Sequence, residues 1–106
     1  MMQKETAVSE FDHPHRQLVR SIPRDILYDT PWQSARRDRP EPEQKVLVWD
    51  GYNRIFWLGE YCEDSGYFTG EVLEMQTVPP SVENPGRIHG AHSWYPVPEH
   101  LQHLTP

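Results

Sequence analysis

With 106 residues, one cysteine and a net charge of −6, the chain has room for one domain and for no intramolecular disulfide. It contains no run of roughly 18 apolar residues, and its opening MMQKETAVSE lacks the apolar stretch of a signal peptide, so neither a membrane span nor a secretory leader is expected. The expectation is a cytoplasmic protein of a reducing compartment, with no membrane contact and no cofactor.

The charge is unevenly spread. Residues 1–40 carry seven basic side chains against six acidic ones, whereas residues 41–106 carry three against ten, a balance of +1 and −7. A body this acidic repels phosphate backbones, so no direct nucleic-acid binding is expected, and it attracts basic partners. Solubility alone is the plainer explanation of such a charge.

Taken in chain order, residues 1–12 are polar and aperiodic. Leu18, Ile22, Ile26 and Leu27 recur near the helical period, and Ser21 followed by Pro23 suits a helix start. This predicts a short helix over 23–29, preceded by a further turn over 14–20 and ended by Thr30-Pro31. Residues 33–44, with Pro40 and Pro42, read as an extended linker. Residues 45–50 form a strand dense in Val, Leu and Trp, and Asp50-Gly51-Tyr52-Asn53 a hairpin turn in which Gly51 and Asn53 accept positive φ. Residues 54–62 are the return strand. Ile55, Trp57, Gly59 and Tyr61 alternate with Phe56, Leu58, Glu60 and Cys62, and apolar groups on both faces mark a central strand. A turn over 63–66 leads to a third strand over 67–78, with a break at Gly70. Residues 79–90 read as a Pro/Gly loop, and 91–97 as a last strand that Pro96 and Pro98 confine to a sheet edge. The tail makes one helical turn.

These elements add up to an α+β fold, a small antiparallel three- to four-stranded β-meander with a short N-terminal helix. The expected division is 1–31 (extension with the helix), 32–100 (β domain) and 101–106 (tail). A meander this small needs a cover on one face, and Trp32, Trp94 or the helix can supply it.

Five sets of residues bear on chemistry. His89-x-x-His92 and His100-x-x-His103 have ligand-like spacing and define a metal- or ligand-binding alternative, against the plainer reading of surface histidines. His92 also suits a structural hydrogen bond pinning the last strand. Cys62 has no surrounding nucleophile signature and reads as a small apolar filler. No phosphate loop, Walker lysine or HExxH occurs, and the carboxylates alone are weak evidence for acid–base work, so no enzyme is expected. Arg16, Arg20 and Arg24 are spaced four apart, and with Arg36, Arg37 and Arg39 they can reach phosphates. The interleaved Asp25, Asp29 and Asp38 favour pairing within the chain instead. Finally, the aromatic residues exceed what a small core needs, and Trp and Tyr are favoured interface anchors.

The run WQSARRDRPEPEQKVLVWDG from Trp32 and the run HSWYPVPEH from His92 together resemble the two ends of a small domain family of unknown function common in tailed phages and prophages. Its members open on Trp, an Arg-Pro or Leu-Pro step and a VLV strand, and end on His-Trp-x-Pro-x-Pro-Glu. The resemblance covers residues 32–100 and implies a phage accessory protein working in the host bacterial cell by protein–protein binding, plausible as a stoichiometric inhibitor of a host defence or regulatory factor. An anti-CRISPR role is one instance. In that reading Asp50, Glu60, Glu63, Asp64, Glu71 and Glu74 steer a host protein with a basic surface, and Tyr52, Tyr67 and Tyr95 anchor it. Homodimerisation is the other association considered.

Overall fold

The structure is a computed structural model that describes residues 14–28, 30–73 and 78–105, with side chains from Leu18 onward in the first segment. His13, the side chains of His15 and Arg16, Asp29 and Glu74 lie outside the described residues.

Two short helices come first, α1 (Pro14–Ser21) and α2 (Arg24–Tyr28). Proline suits the first turn of α1, where its missing N–H costs nothing. Pro23 separates the two helices, so Arg20 and Arg24 belong to different elements rather than to one continuous basic face. Six strands follow: β1 (Gln33–Ser34), β2 (Val46–Asp50), β3 (Ile55–Cys62), β4 (Tyr67–Val72), β5 (Gly86–Ile88) and β6 (Ala91–Pro96). A 3-10 helix, Glu99–Leu104, closes the described chain. All strands pair antiparallel in one sheet, in the order β1-β6-β2-β3-β4-β5.

This sheet-dominated architecture corrects the expected three- to four-stranded α+β meander. The two additional strands fall in the segments read as a linker and a Pro/Gly loop. At two and three residues they are too short to show an alternating pattern. The position of β6 is a second correction. It lies between β1 and β2 rather than at an edge, and β1 pairs only with Ser93 and Trp94, which leaves Pro96 beyond that ladder. A third is β4, which runs unbroken through Gly70.

Gly70 is there because the backbones are close. It pairs with Gly59 of β3, and a Cβ at Gly70 would fall on the carbonyl oxygen of Leu58 and 2.6 Å from Gly59 Cα. Only hydrogen at both positions allows this approach.

The alternation along β3 survives intact. Ile55 and Trp57 join Val46, Val48, Phe68, Val72, Ile88 and Trp94 in one buried cluster, with Tyr61 packed against it. Phe56 and Leu58 join Leu47, Leu73, Val97 and Leu101 in another, where Leu18 and Ile22 of the N-terminal segment also pack. Both faces of β3 are therefore covered, as its sequence predicts for a central strand. Burying each Leu or Val in these clusters contributes about 1.5–3 kcal/mol.

The helices cover the second cluster, and Trp32 fixes α2 there by donating its indole N–H to the Ile26 carbonyl (2.7 Å). Residues 14–28, the sheet and the C-terminal 3-10 helix thus share one packed core. On the opposite face, Trp94 donates its indole N–H to the Asp38 carbonyl, and Val78 and Val82 pack against the first cluster. The Asn84 side-chain oxygen accepts the Val72 N–H at 3.0 Å, tying the 78–85 segment to β4. None of the described helices is long and apolar enough to cross a membrane.

Candidate functional site

Consecutive hairpin turns lie at opposite ends of a meander, and the charged and aromatic side chains divide accordingly. β3 runs from the 51–54 turn at one end to the 63–66 turn at the other.

At the 63–66 end, register places Cys62 opposite Tyr67, Glu60 opposite Thr69 and Leu58 opposite Glu71, and residues directly opposite share a face. Arg87 of β5 lies opposite Thr69 on that same face. Glu60 and Tyr67 are therefore brought together beside the exposed turn carrying Glu63 and Asp64, whereas Glu71, on the same face, lies four residues along β4 from Tyr67, toward the strand's other end. Two cations accompany them. Lys45 reaches Glu60 at 3.6 Å, and the Arg87 guanidinium lies 4.1 Å from the centre of the Tyr67 ring, which is 43% exposed. An exposed pair such as Lys45–Glu60 contributes little. No cation among the described residues pairs with Glu63 or Asp64. Gly66 completes the turn at φ 77°, and Gly66 N–H donates to the Cys62 carbonyl at 2.9 Å. The half-buried Cys62 thiol has its pKa pulled below the ordinary value, chiefly by a hydrogen bond from the Ser65 side chain and another from its backbone.

Asp50 does not belong to this surface. It is 0% exposed and caps the other turn from within. Its Oδ1 accepts the N–H groups of Tyr52 (3.0 Å) and Asn53 (2.9 Å), and its Oδ2 accepts the Asn53 side-chain amide (2.9 Å) and the Trp57 indole N–H (3.2 Å). A carboxylate so enclosed cannot steer a partner, which corrects its place in the expected set. In this turn the positive φ falls on Arg54, at 60°, rather than on Gly51 or Asn53. Tyr52 is 83% exposed at the tip, at the opposite end of the sheet from Tyr67. Tyr95 is half-buried and stacks on Trp32 with ring centres 6.0 Å apart. Of the nine expected contact residues, Glu60, Glu63, Asp64 and Tyr67 gather at one end, Glu71 lies farther along the same face, Tyr52, Tyr95 and the buried Asp50 lie elsewhere, and Glu74 is outside the described residues.

The histidines do not converge. His89, His92, His100 and His103 are exposed, and among the described residues no three His, Cys, Asp or Glu side chains form a group that could hold a metal ion. The strand-pinning role expected of the His92 side chain is filled by its backbone, whose carbonyl accepts the Ala35 N–H at 3.0 Å.

The 51–54 end holds a feature the sequence reading missed. Two clefts, of about 600 and 790 Å³, meet at Trp32, His92 and Ser93. The smaller is walled by Tyr28, Trp32, Trp49 and Phe56, whose rings pack at centre distances of 4.7–6.1 Å, with Arg54 at its rim. The larger is lined by Arg36, Arg37 and Asp38. Among the described residues the guanidinium groups of Arg36, Arg37 and Arg54 meet no carboxylate, so Arg36 and Arg37 do not make the pairing expected with Asp25 and Asp38, while Asp29 lies outside the described residues. By contrast, Arg39 is engaged, lying over the Tyr61 ring and donating to its hydroxyl. The sequence signal was the Arg pair shortly after Trp32.

Comparison with protein-family models, with curated proteins and with solved structures found no match.

Proposed function

We propose that this chain is a phage- or prophage-associated accessory protein that acts in the host cytoplasm by stoichiometric binding rather than by catalysis, holding a host defence or regulatory protein through its 63–66 end. The observation carrying this reading is that Glu60, Glu63 and Asp64 share one end of the sheet with the exposed ring of Tyr67, with Glu71 farther along the same face. Glu63 and Asp64, without a cation partner among the described residues, lie in an exposed turn and supply long-range attraction for a basic surface, while Tyr67 supplies area to desolvate. The phage setting rests on the family-like runs at Trp32 and at His92 to Glu99. Occlusion of a basic nucleic-acid channel, as in an anti-CRISPR role, is the instance this charge pattern fits best.

The test is affinity capture from host lysate at about 50 and about 500 mM salt, using wild type, the Glu63→Lys/Asp64→Lys double variant and Arg54→Ala. One stoichiometric host protein, retained by Arg54→Ala and lost by both the double variant and high salt, is the expected result. Equal capture by the double variant, or capture of nothing by wild type, would overturn the reading.

A further inference from the structure

We infer that the paired clefts at the 51–54 end form a second site, which takes a short single-stranded nucleic acid, with bases stacked among the aromatic walls and phosphates held by Arg54, Arg36 and Arg37. This does not rest on the partner proposed for the other end.

Three observations converge. First, the smaller cleft offers ring faces. Tyr28 is 61% exposed, and Trp32 and Trp49 are only partly buried. Every base has a π-face, so such walls stack bases with little regard to sequence. Second, the three guanidinium groups flanking the walls are uncommitted among the described residues, while Arg24 stays near the site at 5.7 Å from the Tyr28 ring centre. Third, the half-buried Trp49 indole N–H meets no acceptor among the described residues, and base carbonyls and ring nitrogens are acceptors.

The combination selects among occupants. An acidic peptide would use the arginines but has no need of the accessible rings of Tyr28, Trp32 and Trp49. A proline-rich peptide would use the rings and leave the guanidinium groups without anions. Alternating flat apolar groups and single negative charges are the chemistry of a nucleotide chain.

The net charge of −6 does not forbid this, because the carboxylates of the other end are remote. From Arg54 to Glu63 is nine residues of extended chain, about 30 Å, or several Debye lengths at physiological salt. Among the described residues, Asp38 lines the larger cleft and the buried Asp50 lies within the turn that carries Arg54, and both lower the affinity for an anion.

The experiment is a fluorescence-anisotropy titration with labelled oligothymidylate and oligouridylate of about eight nucleotides, a length within one small domain's site size. Contact with two or three phosphates gives a log–log salt slope of about −1.4 to −2.1, so a fourfold rise in salt weakens binding about 7- to 18-fold. Tyr28→Ala should weaken binding by at least about fivefold. Arg36→Ala/Arg37→Ala should flatten the slope by about 1.4. All three side chains are exposed, and circular dichroism melts verify that these variants stay folded. No binding at about millimolar protein, binding unaffected by both variants, or tighter binding of an aromatic–acidic peptide run in parallel would each overturn the assignment.

Discussion

Removing the Asp50 carboxylate is the sharpest test of how the 51–54 hairpin is held. Asp50→Ala deletes four hydrogen bonds at once. Each bond to a charged acceptor contributes about 1.5–3 kcal/mol, yet the four do not simply add. The donors of Tyr52 and Asn53 sit at a turn that water reaches. The Trp57 indole N–H does not, because Trp57 is 1% exposed, and it would be left buried without an acceptor. The expected loss is about 3–5 kcal/mol, a large share of the stability of a domain this size. Asp50→Asn separates the contributions. It keeps Oδ1 for the two backbone donors but turns an amide toward Asn53 and Trp57. Asn53 can flip its own amide to accept, whereas the indole cannot, so the cost is about 1–3 kcal/mol. Urea denaturation gives both values from midpoint and slope, and calorimetry should show melting points lowered by about 4–8 °C per kcal/mol. An alanine variant within about 1 kcal/mol of wild type, or an asparagine variant as stable as wild type, would refute the reasoning.

Two further outcomes follow from the 63–66 end and its strands. Gly70→Ala should cost about 3 kcal/mol through backbone collision with Leu58 and Gly59, whereas Gly66→Ala, with nothing within 4 Å, should cost only the roughly 1–2 kcal/mol of its left-handed backbone; denaturation midpoints distinguish them. The lowered pKa of Cys62 raises its thiolate fraction at neutral pH, so alkylation should proceed faster than for a free cysteine. Ser65→Ala should move the midpoint of the rate–pH profile upward, and an unmoved midpoint would show that the Ser65 side chain does not stabilise the thiolate.

Strong patterning made β2 and β3 legible, with both faces of β3 assigned residue by residue, because eight consecutive residues with apolar groups on each side leave little choice; the start of β4 was legible as well, but not its passage through Gly70 or its end at Val72. The helices were legible through Pro23 and the spacing of Leu18 and Ile22. What stayed hidden was short or depended on distance along the chain. β1 exists only because β6 offers Ser93 and Trp94 to two residues of an apparent linker, and β5 because β4 offers an edge. Asp50 reads as one more acid in an acidic segment. Its burial follows from Trp57, seven residues on, needing an acceptor inside the sheet. The aromatic cleft was missed for a related reason. Its tryptophans are half core and half surface, a division set by the helix that leans on them.

The same hairpin links that buried acid to the exposed chemistry. Asp50 holds the N–H groups of residues 52 and 53, and its own carbonyl accepts the Arg54 N–H at 2.7 Å, so the turn delivers Arg54 at a fixed φ of 60° to the rim of the aromatic cleft. Gly51 N–H, bonded to the Gly90 carbonyl at 3.0 Å, ties this turn to the one preceding β6, where His92 and Ser93 complete the cleft. An arginine on a free loop would lose conformational entropy on engaging an anion. Here the turn has already fixed the backbone, and the remaining cost is that of the side chain alone. The 63–66 turn has the matching Gly66 N–H to Cys62 carbonyl bond but no buried carboxylate within it, and Glu63 and Asp64 project without cation partners among the described residues. The two ends therefore suit different tasks, a preorganised aromatic and cationic cleft for a short single strand and an exposed charged tip for a broad surface, with the doubly buried β3 holding them apart.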